Sequence, residues 1–149
     1  ENGNVRLVSR QGKSWLGMVE IENALKESPY DNIVFDSEIT ILNPQNYPSK
    51  DVYKMTTKIV STKDEEKHGL QLNCFDYMTL DEWNKQESEY PCIERKSQLE
   101  EIIKSINSPY LVYPIYGTSS LCYDYYITTS PICQYFISPF FGEIQKCVL

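Results

Sequence analysis

The sequence predicts an α+β domain in which an antiparallel β-sheet of about four to six strands is packed by an N-terminal helix and one or two central helices. Three observations predict it: apolar residues at helical spacing near the N-terminus, middle segments that alternate with period two, and two helix-capping boxes further along. A chain of 149 residues can bury one continuous core, so residues 1–149 are read as a single unit, with residues 1–12 as an irregular arm.

Trp15, Met18, Ile21 and Leu25 fall on one helical stripe that Pro29 stops, which predicts the N-terminal helix. Gly17 costs that helix up to about 1 kcal/mol relative to Ala, and the β-branched Val19 and Ile21 keep a strand as the rival reading. Ile33, Phe35, Ile39 and Ile41 share one face of a first strand, Tyr53, Met55, Thr57 and Ile59 one face of a second, and Leu70, Leu72 and Cys74 one face of a third. The polar connection from Ser61 to His68, followed by Gly69, predicts an antiparallel hairpin between the second and third, and hence a meander. Thr79 with Glu82 and Ser97 with Glu100 form capping boxes, so helices are expected to begin at both. In the second helix Leu99, Ile102, Ile103 and Ile106 make one apolar face, and Asn107 with Pro109 ends it. A further strand is expected over residues 110–116.

A formal net charge of -7 argues against phosphate backbones and anionic membranes as partners, because both are bound by clustered Lys and Arg. The expected partner is another protein, with no nucleic acid and no membrane, and the oligomeric state is left open. No run reaches the roughly 18 to 20 apolar residues of a membrane helix. The five cysteines, Cys74, Cys92, Cys122, Cys133 and Cys147, form no CxxC pair, which favours free thiols or one or two bridges and an intracellular setting, with secretion as the other possibility.

No motif for a cofactor or metal is found. Gly12-Lys13-Ser14 matches the end of a phosphate-binding P-loop, but Leu7 stands where that loop needs its first glycine. The single histidine, His68, has Asp64, Glu65 and Glu66 nearby, and the simplest reading is a solvated hairpin tip. One histidine and scattered thiols offer no zinc spacing. Carboxylates are plentiful, and an acid/base pair assembled from distant positions would be invisible to sequence reading. Asp81, Glu82, Glu100 and Glu101 are explained as first-turn charges on helix dipoles.

The C-terminal third is rich in Tyr and Phe and nearly free of charge. Tyrosine combines large contact area with few torsions to freeze and a hydroxyl that tolerates water. Tyr113, Tyr116, Tyr123, Tyr125, Tyr126, Phe136, Phe140 and Phe141 are therefore the candidate binding residues of a non-catalytic protein-interaction module.

Two alternatives stand beside that reading. The order of elements, with Tyr110-Leu111-Val112-Tyr113-Pro114 and Ser138-Pro139-Phe140-Phe141-Gly142, resembles the ubiquitin-type conjugating enzymes of autophagy over roughly the last two thirds of the chain. That resemblance implies a thioester-forming cysteine just after a His-Pro-like pair. Here Ile115 follows Pro114 and the nearest thiol is Cys122, so it implies either Cys122 as a displaced nucleophile or a lost activity. The second alternative is a secreted, viral-type binding domain held by disulfides such as Cys122 with Cys133 or Cys92 with Cys147.

Overall fold

The structure is a computed structural model that describes residues 4–9, 11–63, 65–113 and 145–148. Its elements run β1 (Arg6–Ser9), β2 (Ser14–Trp15), α1 (Val19–Lys26), β3 (Ile33–Ile41), a 3₁₀ turn (Pro44–Asn46), α2 (Ser49–Val60), β4 (Leu70–Thr79), α3 (Leu80–Lys85), α4 (Cys92–Ile106), β5 (Leu111–Val112) and β6 (Gln145–Val148). The described strands form one sheet in the order β2-β1-β6-β3-β4-β5. The α+β class stands. The sheet is mixed rather than wholly antiparallel, because β5 runs parallel to β4.

The long pair β3–β4 is the frame, antiparallel over nine paired positions from Ile33↔Thr79 to Ile41↔Leu70. Phe35, Ile39, Leu70, Leu72 and Cys74 are buried in the core with Ile21 and Leu25 of α1, and with Leu99, Ile102 and Ile103 of α4. The first and third expected strands and the apolar face of the second central helix therefore lie where the pattern put them. Asn107 ends α4 in the left-handed conformation at φ 50. Thr79 and Glu82 make the expected capping box at the start of α3.

Three segments are corrected. Arg6–Ser9 is a strand and not part of an irregular arm, because it pairs with β2 on one side and on the other with β6, a segment from the other end of the chain. Tyr53, Met55, Thr57 and Ile59 lie on helix α2, so there is no hairpin from that segment to β4 and no meander. The inward positions of α2 are Val52, Thr56, Ile59 and Val60, a set spaced i, i+4, i+7 and i+8, whereas Tyr53 and Met55 are exposed. Ser97 does not begin a helix: α4 starts five residues earlier, after Pro91, whose fixed φ suits a helix entry.

Gly12 forms the turn of the β1–β2 hairpin at φ +79, with its amide donating to the Ser9 carbonyl at 2.8 Å. The P-loop-like tripeptide is thus part of a hairpin and opens no helix. Gly17 precedes α1 rather than weakening it. It adopts φ +81, and a Cβ there would lie 1.9 Å from the Glu65 carbonyl oxygen. The chain entering β4 crosses here, with the Lys67 amide donating to the Gly17 carbonyl at 2.6 Å. Glu22 completes the α1 start by accepting from the Gly17 and Met18 amides, both at 3.1 Å.

Gly17→Ala should destabilise the protein by more than the roughly 1–3 kcal/mol of a strained backbone position, because the crossing chain must also move. Gly12→Ala, with open space around it, should show the backbone strain alone. Urea denaturation of both variants checks this, and equal losses would show that the crossing imposes no constraint.

Candidate functional site

The two faces of β3–β4 are unlike. Opposite the core-facing row, Thr40 pairs with Gln71 and Glu38 with Asn73. Directly paired residues project from the same face of a sheet. The amides knit this row together: Gln71 Nε2 donates to Asn73 Oδ1 at 2.9 Å, and Asn73 Nδ2 donates to Thr40 Oγ1 at 2.9 Å and to the Glu38 carbonyl at 3.3 Å. Gln71 Oε1 in turn accepts the Asn43 amide at 2.8 Å, which fixes the turn leading to α2.

The Glu38 side chain stands apart from this network. No ion pair or hydrogen bond reaches its carboxylate among the described residues. Burial raises its pKa above the ordinary carboxylate value. A carboxylate withdrawn from water without compensation is unfavourable to the fold, and such groups concentrate at sites that bind something.

Asp36 lies two residues before Glu38 on β3, opposite Asp76, and the β6 register sets Lys146 across from it on the other side. Like charges directly opposite one another repel. A register shift between Asp36 and Ser37 leaves Phe75 as the extra residue of β4. Asp76 is engaged by Arg95 of α4, whose Nε and Nη2 donate to the two carboxylate oxygens at 3.0 and 2.6 Å, while Nη1 donates to the Tyr90 carbonyl at 2.7 Å. Both side chains of this fork are buried. The Tyr77 hydroxyl donates to Gln98 alongside it. Asp76 is therefore a structural tie between the sheet and α4, and Glu38 is the carboxylate of the polar face that no hydrogen bond or ion pair engages among the described residues.

His68 sits elsewhere. It is 58% exposed, its Nδ1 lies 2.9 Å from Glu20 of α1, and its Nε2 lies 3.4 Å from Glu66. The solvated reading of His68 agrees with this exposure, but the segment is an α2–β4 connection and not a hairpin tip. The nearer acid, Glu20, comes from α1. The hydrogen bond and charge of Glu20 raise the His68 pKa. Burial pushes the Glu20 carboxyl up, but hydrogen bonds from its own backbone, from His68 and from the Gly69 amide outweigh it and hold Glu20 below its ordinary value.

Of the aromatic candidates, Tyr113 is half-buried and packs on the core beside Tyr110. Tyr116, Tyr123, Tyr125, Tyr126, Phe136, Phe140, Phe141 and the candidate nucleophile Cys122 lie outside the described residues. Among the thiols, Cys74 is buried and Cys92 half-buried. No helix among the described residues is long and apolar enough to cross a membrane, and no group of three or more His, Cys, Asp or Glu among them is arranged to hold a metal.

One sheet face is sealed by helices, and the other carries Glu38, Asn73, Thr40 and Gln71, the last two of them buried. The family of the ATP dependent DNA ligase domain matches residues 1–121, and the chain belongs to that family. No match was found among curated proteins or among solved structures.

Family membership overturns the expected non-catalytic protein-binding module with a Tyr-rich surface, and with it the conjugating-enzyme and secreted-domain alternatives. It also overturns the exclusion of nucleic acid as a partner. Net charge is a sum over the whole surface, whereas a phosphate backbone meets only the patch that faces it.

Glu38, Asp36, Asn73 and Gln71 were passed over because strand reading assigns off-phase polar residues to solvent. The available signal was their composition: two acids, two amides and a threonine with no lysine is an unusual solvent face for a strand pair.

Two outcomes are expected. Arg95→Met should cost about 3–5 kcal/mol, as removal of one partner from a buried pair does, with the loss partly recovered in the Asp76→Leu/Arg95→Met double variant; a urea series checks it. For His68 the raised pKa means that its contribution is full below about pH 6.5 and is lost as pH rises through the folded-state value. The lowered Glu20 value means that its contribution is lost only as pH falls below the ordinary carboxylate range. His68→Gln should therefore flatten the decline of Tm on the alkaline side of about pH 6.5, by a small amount because the pair is exposed. An unchanged profile would remove the pair from the account.

Proposed function

We propose that this chain is the nucleotide-handling part of an ATP-dependent DNA ligase and acts as one α+β domain over residues 1–149. On this reading the polar face of β3–β4 receives the adenine nucleotide, and Glu38 is its principal contact. The observation that carries the reading is the desolvated Glu38 carboxylate, which has no protein partner among the described residues while its strand is held firmly by Asn73.

The residues suit that ligand in a specific way. A carboxylate only accepts hydrogen bonds, so Glu38 matches a ribose hydroxyl directly and a phosphate only through a divalent cation. Such a cation takes one or two protein carboxylates and completes its shell with water and phosphate oxygens. Asn73, Thr40 and Gln71 position the two strands and keep the face polar. ATP, when bound, supplies the phosphoanhydride whose cleavage drives phosphodiester formation.

Glu38→Gln keeps the shape and removes the charge. It should weaken ATP binding by about ten- to a hundredfold, the worth of a hydrogen bond to a charged group. It should also raise the Tm of the ligand-free protein near neutral pH, because a burial-raised carboxylate pKa means that ionisation of Glu38 opposes folding. Calorimetric titration with ATP and Mg²⁺, with a thermal melt of each protein, reads both. Absence of ATP binding by the unsubstituted chain, or equal affinity in the variant, would refute the assignment.

A further inference from the structure

The amphipathic phase of α2 leaves Lys50, Lys54 and Lys58 at successive i, i+4 positions on the side opposite the inward-facing Val52, Thr56, Ile59 and Val60. All three lysines are exposed, and no acid pairs with any of them among the described residues. On α3 and α4, by contrast, Lys85 is paired with Asp81 and Lys104 with Glu100 at that spacing, each at 2.6 Å. On α2 the i, i+4 neighbours of the lysines are other lysines, an arrangement unfavourable to an isolated helix. The helix holds three lysines against one acid, Asp51, in a chain of net charge -7. Exposed Tyr53 flanks the row, and exposed Tyr47 lies just before the helix.

We propose that α2 is a docking ridge for the phosphate backbone of a DNA duplex, with Lys50, Lys54 and Lys58 each meeting phosphate and Tyr53 lying against the adjoining sugar edge. The eight steps from Lys50 to Lys58 advance about 12 Å along the helix, over which a duplex presents about three or four phosphates per strand. Charge complementarity selects a polyanion, and the ridge is too narrow and too regular to suit an acidic protein better than a backbone of fixed phosphate spacing. The choice of a duplex as occupant rests on the ligase reading; the lysine row does not.

The test is fluorescence anisotropy of a labelled, nicked duplex of about 20 base pairs titrated with the full chain between about 50 and 200 mM KCl. Three phosphate contacts contribute about -2.7 to the slope of log affinity against log salt, or about 40-fold in affinity over that range. The K50Q/K54Q/K58Q variant should bind more weakly at low salt and show a slope shallower by about that amount, whereas K85Q/K104Q should behave as the unsubstituted chain. Circular dichroism should report the same fold in all three.

An unchanged slope in the α2 variant would overturn the proposal. Binding to phosphatidylserine vesicles without binding to the duplex would overturn it as well. Calorimetric titration of K50Q/K54Q/K58Q with ATP separates the two readings: its ATP affinity should equal that of the unsubstituted chain, so failure of ATP binding in both would leave the lysine effect standing, and loss of the lysine effect would leave ATP binding intact.

Discussion

The pairing of β3 with β4 is the constraint on which the rest of the molecule depends. Its register decides which residues meet the helices and which form the opposite face, because a slip of one residue would exchange the two sets. With Ile39 against Leu72 and Ile41 against Leu70, the apolar row goes to α1 and α4, and Glu38, Thr40, Gln71 and Asn73 are gathered on the other side. The shift at Asp36/Ser37 adjusts this pattern at one place only. It is the region where Asp76 is tied to Arg95, so the carboxylate that would face Asp36 is instead neutralised against α4.

The same strand explains how α2 is held. Its pairing with β6 covers Val34–Ser37 and stops there, which leaves the next residues of β3 without a described strand on that side. Helix α2 packs along this stretch, and Thr56 accepts the Ile41 amide at 3.0 Å. The Asn43–Gln71 hydrogen bond anchors the connecting turn to the polar face. A basic helix is thereby fixed to the strand that carries Glu38, and the two charged features of opposite sign share one rigid support.

The sequence disclosed the parts of the fold whose partners are local or whose period is unambiguous. The strand around Phe35, the strand from Leu70, the α4 face through Leu99 and Ile102, and the Thr79–Glu82 box all lie as read, since each depends on nearest neighbours along the chain. α2 was misread because Tyr53, Met55, Thr57 and Ile59 satisfy a period of two while Val52, Thr56, Ile59 and Val60 satisfy 3.6; twelve residues without a breaker, and the lysines four apart, favoured the helix. β1 has one local partner, the two-residue β2 across the Gly12 turn, and its longer pairing is with β6 at the far end of the chain, which no local pattern discloses. The polar face was illegible for a related reason: each residue on it is ordinary alone, and only the cross-strand register makes Glu38 and Asn73 neighbours.

What distinguishes Glu38 within that face is the division of labour around it. Asn73 donates to the Glu38 backbone carbonyl and to Thr40, so the network secures the strand and spends none of its donors on the carboxylate. A fold selected for stability alone would satisfy this half-buried charge or replace it, since an unpaired carboxylate partly withdrawn from water opposes folding. A group that binds only the folded protein and supplies the missing donor or cation would offset that penalty, and would stabilise the fold in proportion to its occupancy. On the proposed reading, the ionised Glu38 lowers the stability of the ligand-free domain, and a bound nucleotide would offset that cost.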